Sequence, residues 1–314
     1  MLHEVIVVSF NSAQDIRACV SSIISSGGVP VVVDNGSTDE TLQILADDFP
    51  QVRVLRNRRN SYSCAANIGL ANTAGDVVIL SNADVIYPPN SISRLCTYVN
   101  SHGRIGVLGP QQVFPDGSWQ RSWGMVPGIM EALCEFFCIT TLYNATRRGL
   151  WPVRVNRRTL NVGYVDGAVM TIRRRAFDSI RGFDERFPFS SEDTDFCLRA
   201  RRAGWQVVAL PTFDVVHRRG GSSRCQGWSA DRHAAVLLEG TRIFLDKYHG
   251  TPFTGLYFNI KRLSSWMLMV LCEAGSRVAP QARRGRLREK ARIHRSYCDQ
   301  LRTTDTNLPV DSPL

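Results

Sequence analysis

The segment Val31–Thr41, VVVDNGSTDET, decides how the chain reads. Three β-branched residues in a row form a buried strand, and the run stops at a carboxylate, Asp34. Asn35-Gly36 is a turn pair. Ser37-Thr38-Asp39-Glu40 has the spacing of a capping box that opens a helix. Upstream, Glu4–Phe10 is another apolar, β-branched strand, and Asn11-Ser12 can cap a helix running to about Ser25. Downstream come a strand at Val52–Leu55, an Ala-rich helix at Tyr62–Thr73 and a strand at Asp76–Leu80 that leads into Ser81-Asn82-Ala83-Asp84. A helix at Pro88–Asn100 and a strand at Ile105–Leu108 follow. Strands alternating with helices imply parallel pairing through right-handed crossovers. In such a sheet ligands sit beyond the carboxyl ends of the strands. The polar residues at those ends are Ser9, Asn11, Asp34, Asn35, Asn82 and Asp84.

Farther along, Phe114-Pro115-Asp116-Gly117 is a hairpin turn. Trp119–Leu160 mixes aromatics with an arginine cluster (Arg147, Arg148, Arg154, Arg157, Arg158) and reads as loop and helix. Val162–Ile172 has a strand pattern around Asp166-Gly167-Ala168. Glu192-Asp193-Thr194-Asp195 opens a helix ending near Gly204. Two strands, Gln206–Leu210 and Asp214–His217, lead to Arg218-Arg219-Gly220-Gly221-Ser222-Ser223, and from Trp228 the chain is helical to about Tyr297. Residues 1–118, 119–225 and 226–314 are the expected divisions.

Of the 314 residues 44% are hydrophobic and 21% charged, which excludes disorder, collagen and coiled coil. The nine cysteines lack a CxxC pair and sit among apolar neighbours, the pattern of reduced thiols in a cytoplasmic protein. The start MLHEVIVVSFNS has no basic region of a signal peptide. The apolar stretch Leu263–Cys272 is far short of a bilayer span. No GxGxxG follows the first strand and there is no GxxxxGKS/T loop, which speaks against dinucleotide oxidoreductases and P-loop phosphotransferases.

Each candidate residue has a structural and a chemical reading. Asp34 either caps a turn or accepts from a nucleobase or ribose. Asp84, in Asn82-Ala83-Asp84, either caps the next helix or is the single carboxylate that a cation bound to a diphosphate needs. In Glu192-Asp193-Thr194-Asp195 the helix dipole explains acids in a first turn. Glu192 and Asp195 share one face while Asp193 points elsewhere, so one acid can be structural and its neighbour a general base. His217 closes a strand before a glycine pair and basic residues suited to phosphate.

Taken in order, VVSFNS, VVVDNGSTDET, RNRRNSYSCAANIGLANTAGD, ILSNADV, VDGAVMTIRR, GFDERFPFSSEDTDFCLRARRAGW and VVHRRGGSS resemble the family 2 glycosyltransferases with a GT-A fold. Within them the chain most resembles the bacterial rhamnosyltransferase-like branch that builds cell-surface polysaccharides. The resemblance covers about residues 3–225. It implies a Rossmann-like α/β fold: a mixed, mainly parallel sheet flanked by helices, here with a C-terminal helical extension. It places Ser9, Asn11, Asp34, Asn67, Asn82 and Asp84 at the nucleotide sugar, with Asp34 near the base. Asn82 and Asp84 stand at the family's DxD motif, where Asp84 would bind Mg²⁺ or Mn²⁺. Asp193 would be the catalytic base, with Asp166, Gly167 and Glu192 on the acceptor side. His217 would be a second metal ligand, although this loop carries one extra residue before its glycines. Asn82 replaces the first acid of DxD, and Ser61 replaces a usual glycine.

The implied activity is inverting transfer of a sugar, rhamnose within the resembling branch, from a nucleoside-diphosphate sugar to a hydroxyl of a glycan or lipid-linked acceptor. A sugar nucleotidyltransferase is the alternative enzyme, but VVSFNS is not its glycine-rich phosphate loop. A catalytically inactive protein of the same fold is the other alternative. Arg277 to Arg295 encloses eight basic residues against Glu289 alone, a net of +7 within an overall +10. Phe258, Leu263, Trp266, Met267 and Val270 mark an apolar face just before it. Together they suit an anionic membrane surface, and so a cytoplasmic protein peripheral on the inner face of the cell membrane. The alternative is packing on the catalytic domain with the arginines in water. Nucleic acid is not expected, because aromatics are not interleaved with the basic run.

Overall fold

The computed structural model describes residues 3–137, 139, 159–187, 189–218 and 230–303. Its strands are β1 (His3–Ser9), β2 (Gly28–Asp34), β3 (Arg53–Arg56), β4 (Val77–Asn82), β5 (Val85–Ile86), β6 (Ile105–Val113), β7 (Trp123–Gly124), β8 (Leu160–Asn161), β9 (Tyr164–Val165), β10 (Val169–Arg173) and β11 (Gln206–His217). The helices are α1 (Ile16–Ser25), α2 (Thr41–Asp48), α3 (Tyr62–Ala71), α4 (Ser91–Ser101), α5 (Ile129–Phe136), α6 (Arg174–Ser179), α7 (Glu192–Arg202), α8 (Ala230–His249), α9 (Thr251–Val278) and α10 (Gln281–Thr303).

The main sheet runs β3-β2-β1-β4-β10-β6-β11-β5, with β8 also paired to β11. Strands β3, β2, β1 and β4 are parallel, as are β6 and β11, while β10 lies antiparallel between β4 and β6. The central strands are buried on both faces, which explains their unbroken apolar runs. Val5, Val7, Val32 and Ile79 pack on Ile16, Val20 and Ile23 of α1 and on Ile92 and Leu95 of α4. Ile6, Val33, Val78 and Leu80 face the other way, onto Ala65, Ala66 and Leu70 of α3 and Phe196 and Ala200 of α7. Helix α3 comes so close that a Cβ on Gly69 would sit 2.4 Å from an Ile6 methyl.

Several local readings change. The box at Ser37 does not form. Ser37 Oγ accepts the Asn11 N–H at 2.8 Å, and Asp39 Oδ1 takes the Thr41 N–H at 3.0 Å as α2 begins. Helix α1 starts at Ile16, because Asn11 adopts a left-handed φ of 46° and Ser12 to Asp15 make a turn first. The single strand pattern at Val162–Ile172 breaks into β9 and β10 around Asp166-Gly167-Ala168. The two strands after Gly204 are one, β11, with an irregularity between Leu210 and Asp214. The hairpin turn at Phe114 does form, with Phe114 N–H donating to Ser118 O at 2.8 Å. The arginine cluster 147–158 and the loop 219–229 lie outside the described residues.

The chain divides into two compact units, Met1–Val126 with Thr146–Gly227, and Pro127–Ala145 with Trp228–Leu314. Helix α5 therefore groups with the C-terminal helices. In that second unit, α8, α9 and α10 are separated at Gly250, with φ 82°, and at Pro280. Lys261 of α9 is 8% exposed and bonds Glu131 and Glu135 of α5, while Tyr257 Oη donates to Glu131 Oε2 at 2.9 Å. The apolar face read around Phe258 and Met267 is rotated. Phe258 is 6% exposed and Met267 half-buried, so the outward apolar residues are Leu256, Leu263, Trp266, Val270 and Leu271.

Candidate active site

The parallel register sets Ser9 beside Asp34 at the carboxyl ends of β1 and β2. Asp34 is fully buried. Its Oδ2 accepts from Gly36 N, Ser37 N and Arg56 Nη1, each at 3.1 Å. Its Oδ1 and the Ser9 hydroxyl are buried without a hydrogen-bond partner among the described residues. Each such orphan costs about 1–3 kcal/mol, a cost that a bound polar ligand would remove. Asn11 serves the loop itself, since its Oδ1 accepts from Thr38 N at 2.8 Å. Only its Nδ2 remains to donate elsewhere.

A second group gathers where β4, β5, β6 and β11 end. His217 pairs with Val85 across β11 and β5, next to Asp84. His217 Nε2 lies 3.3 Å from Asp84 Oδ1, and both side chains are buried. On the other side of the ring, Nδ1 lies 2.8 Å from Gln112 Oε1. An amide oxygen only accepts, so Nδ1 carries the proton. Nε2 therefore faces a carboxylate oxygen with its lone pair unless a proton or cation lies between. Two ligands on adjacent positions of an octahedral cation, each about 2.1 Å away, stand about 3 Å apart. The pair thus fits a divalent cation, with Gln112 orienting the histidine. Among the described residues no third His, Cys, Asp or Glu joins them, which leaves the other positions to phosphate oxygens and water.

The third group is tied to the second through the turn 166–168. Strand β10 runs back along β4, so Asn82 N donates to Ala168 O at 3.0 Å. One residue earlier, Gly167 N donates to Asp193 Oδ2 at 2.9 Å, and Tyr62 Oη donates to Gly167 O. Asp166 Oδ1 closes the turn on Ala168 N at 2.9 Å. Asp193 Oδ1 accepts from Thr194 N and Oγ1. Burial and the Asp166 charge raise the proton affinity of Asp193, while the Gly167 and Thr194 donors limit the rise. Glu192 is buried, and its Oε2 has no partner among the described residues. Burial and the neighbouring Asp193 and Asp166 charges raise it further. With three donors on its oxygens, Asp193 is the better-stabilised carboxylate of the pair, and its residue is half-buried where Glu192 is buried. Asp195 is structural, its Oδ2 held by Arg199 Nε at 2.7 Å.

Asn67 stands apart from these groups. Its Nδ2 donates to Phe183 O and Glu185 Oε1, both at 3.0 Å, and its Oδ1 accepts from Phe183 N at 2.8 Å. It clips the 182–185 turn onto α3. Gly182, with φ 75°, is needed there because a Cβ would come within 2.7 Å of that Oδ1. Reading the sequence missed Gln112, Tyr62 and Arg56. Gln112 had a signal, one of two adjacent glutamines inside the otherwise nonpolar strand β6.

An α/β sheet with β10 inserted antiparallel, and polar groups at the strand ends, is the GT-A class of glycosyltransferase fold. A solved mannosyltransferase of Pyrobaculum calidifontis, in complex with GDP-Man and Mn²⁺, shares that fold. Its TM-score is 0.55 at 16% identity, covering 96% of this chain and 84% of that one. Residues 4–181 match the family model described as Glycosyl transferase family 2. The N-acetylglucosaminyl-diphospho-decaprenol L-rhamnosyltransferase of Mycobacterium tuberculosis is 31% identical over 265 residues, 78% of this chain and 84% of that protein. The low-salt glycan biosynthesis hexosyltransferase of Haloferax volcanii is 24% identical over 230 residues, 68% of this chain and 66% of that one. This chain belongs to glycosyl transferase family 2.

Proposed function

We propose that the protein is an inverting glycosyltransferase that moves rhamnose from a nucleoside-diphosphate sugar to a hydroxyl of a lipid-linked glycan at the cytoplasmic face of the membrane. The choice of sugar and acceptor is supported by the mycobacterial relative, whose name states both. In this reading the orphaned Asp34 Oδ1 accepts from the nucleoside, and Ser9 Oγ donates to it or accepts from it. Asn82 stands at the diphosphate. Asp84 and His217 hold Mg²⁺ or Mn²⁺, which when bound offsets the charge growing on the leaving diphosphate. Asp193 accepts the proton of the acceptor hydroxyl as that oxygen attacks the anomeric carbon from the side opposite the diphosphate. The new C–O bond forms as the bond to the diphosphate oxygen breaks, so configuration inverts. Asp166, Gly167 and Glu192 shape the acceptor side.

The observation that carries the reading is the turn 166–168. It bonds Asn82 through Ala168 O and Asp193 through Gly167 N, and so couples the diphosphate end to the base. Release of nucleoside diphosphate from a panel of nucleotide sugars tests it. One donor, a rhamnose nucleotide, should be consumed in the presence of Mg²⁺ or Mn²⁺ and spared in EDTA. Consumption of none of the panel would overturn the proposal, and full activity in EDTA would remove the metal from it.

A further inference from the structure

Helix α9 is built inside out. Thr254, Lys261, Ser264, Ser265 and Ser276 are buried, alongside Tyr257 and Phe258. Leu256, Leu263, Trp266 and Val270 stand outward, 54%, 52%, 52% and 41% exposed. Separations of seven, three and four residues keep these four on one stripe. Arg277, seven residues beyond Val270, falls on the same stripe and is exposed. Along α10, Arg284, Arg288, Arg292 and Arg295 are exposed at separations of four, four and three, a second stripe on one face. Arg295 pairs with Glu273, whereas Arg277, Arg288 and Arg292 have no acidic partner among the described residues. An apolar stripe of this size on a soluble surface marks an interaction face.

We infer that the outer face of α9 and the arginines that follow it dock the protein flat on an anionic bilayer. The inference deepens the membrane-side reading above and rests on it. A helix of 28 residues is about 42 Å long, yet no described helix is apolar enough to cross a membrane, so α9 lies in the headgroup region. Trp266 suits that depth, with an apolar ring and a polar N–H. Charge selects the occupant. A second copy brings the same excess of arginine and meets like with like, whereas anionic headgroups supply the opposite sign.

The test is co-sedimentation of the full chain with vesicles of phosphatidylcholine alone or mixed with phosphatidylglycerol, at low and high salt. The protein should pellet with the mixed vesicles, less so at high salt, and poorly with phosphatidylcholine. Arg288→Gln/Arg292→Gln should weaken binding about five-fold per arginine at low salt. Leu263→Gln/Trp266→Gln should weaken it at least about ten-fold at either salt. Both pairs are exposed, so thermal midpoints should match wild type. The arginine pair decides alone if the other fails to fold. Equal binding by wild type and variants, or none by wild type, overturns the inference. So does a wild-type dimer that Leu263→Gln/Trp266→Gln turns into a monomer, which assigns the face to a second copy. Donor consumption without vesicles separates the two readings: turnover without docking sinks only the docking surface, and docking without turnover sinks only the sugar-transfer chemistry.

Discussion

At the carboxyl ends of the strands polar atoms are held in the interior, and along α9 apolar side chains are held outside. Ser9 Oγ, Asp34 Oδ1 and Glu192 Oε2 are buried with no partner among the described residues, while Trp266 and Leu263 are half exposed. Both arrangements cost stability in the isolated chain, and both make sense once something outside it is added. In the proposed reading the first meets a nucleotide sugar and the second a bilayer surface. The contrast also holds within the helical unit, where the buried charge of Lys261 is answered by Glu131 and Glu135, with Tyr257 donating to Glu131. Burial of a polar group alone is thus not a sign of function.

The largest expected effect that would break this contrast is at Asp193. Asp193→Asn keeps the size of the side chain and its contact with Gly167 but removes the base, and turnover should fall by roughly 10²–10⁴. Donor binding, followed by thermal shift, should survive. Near-normal turnover would move the role to Glu192 or elsewhere. On the structural side, Lys261→Met leaves the partly buried Glu131 and Glu135 without their shared cation. Stability should fall by about 3–5 kcal/mol in urea unfolding, and an unchanged midpoint would show that the cluster is not what holds α5 to α9.

Gln112→Leu should act on the metal and not on the fold of the nucleotide site. Freed from its Nδ1 acceptor, His217 can turn, and the Mn²⁺ concentration needed for half-maximal activity should rise about 10–100-fold. No change would separate His217 from the metal. The smallest effect is in pH dependence. Asp193 must be ionised to act and its proton affinity is raised, so activity should fall on acidification closer to neutrality than for an ordinary aspartate. Asp166→Asn keeps an acceptor for Ala168 N but removes the neighbouring charge. The acid limb should then move to lower pH, and movement to higher pH would contradict the assignment.

Much of the site was legible because its residues end apolar runs. Ser9, Asp34, Asn82 and His217 each end a strand, Asp84 lies in the turn after one and Asp193 in the first turn of a helix, and the topology does the rest. The structure brings Asn82, the turn 166–168 and Asp193 together through two hydrogen bonds donated by backbone N–H groups, one to Ala168 O and one to the Asp193 carboxylate. Asn67, read with the ligand residues, bonds Phe183 and Glu185, partners more than a hundred residues away that leave no local mark in the sequence. Gln112 was passed over because its role exists only once β6 and β11 pair. The capping box at Ser37 was overridden by Asn11, a tertiary partner from the preceding strand end. For α9 the spacing showed that one face is apolar but not which face turns inward. That is settled by Glu131 and Glu135, which draw Lys261 inside.

The account turns on a single displacement at the anomeric carbon, assisted by Asp193. The most direct measurement is the anomeric configuration of the transferred sugar, read from its one-bond carbon–proton coupling by NMR and compared with that of the donor. Opposite configurations are predicted. The same configuration in donor and product would contradict the mechanism.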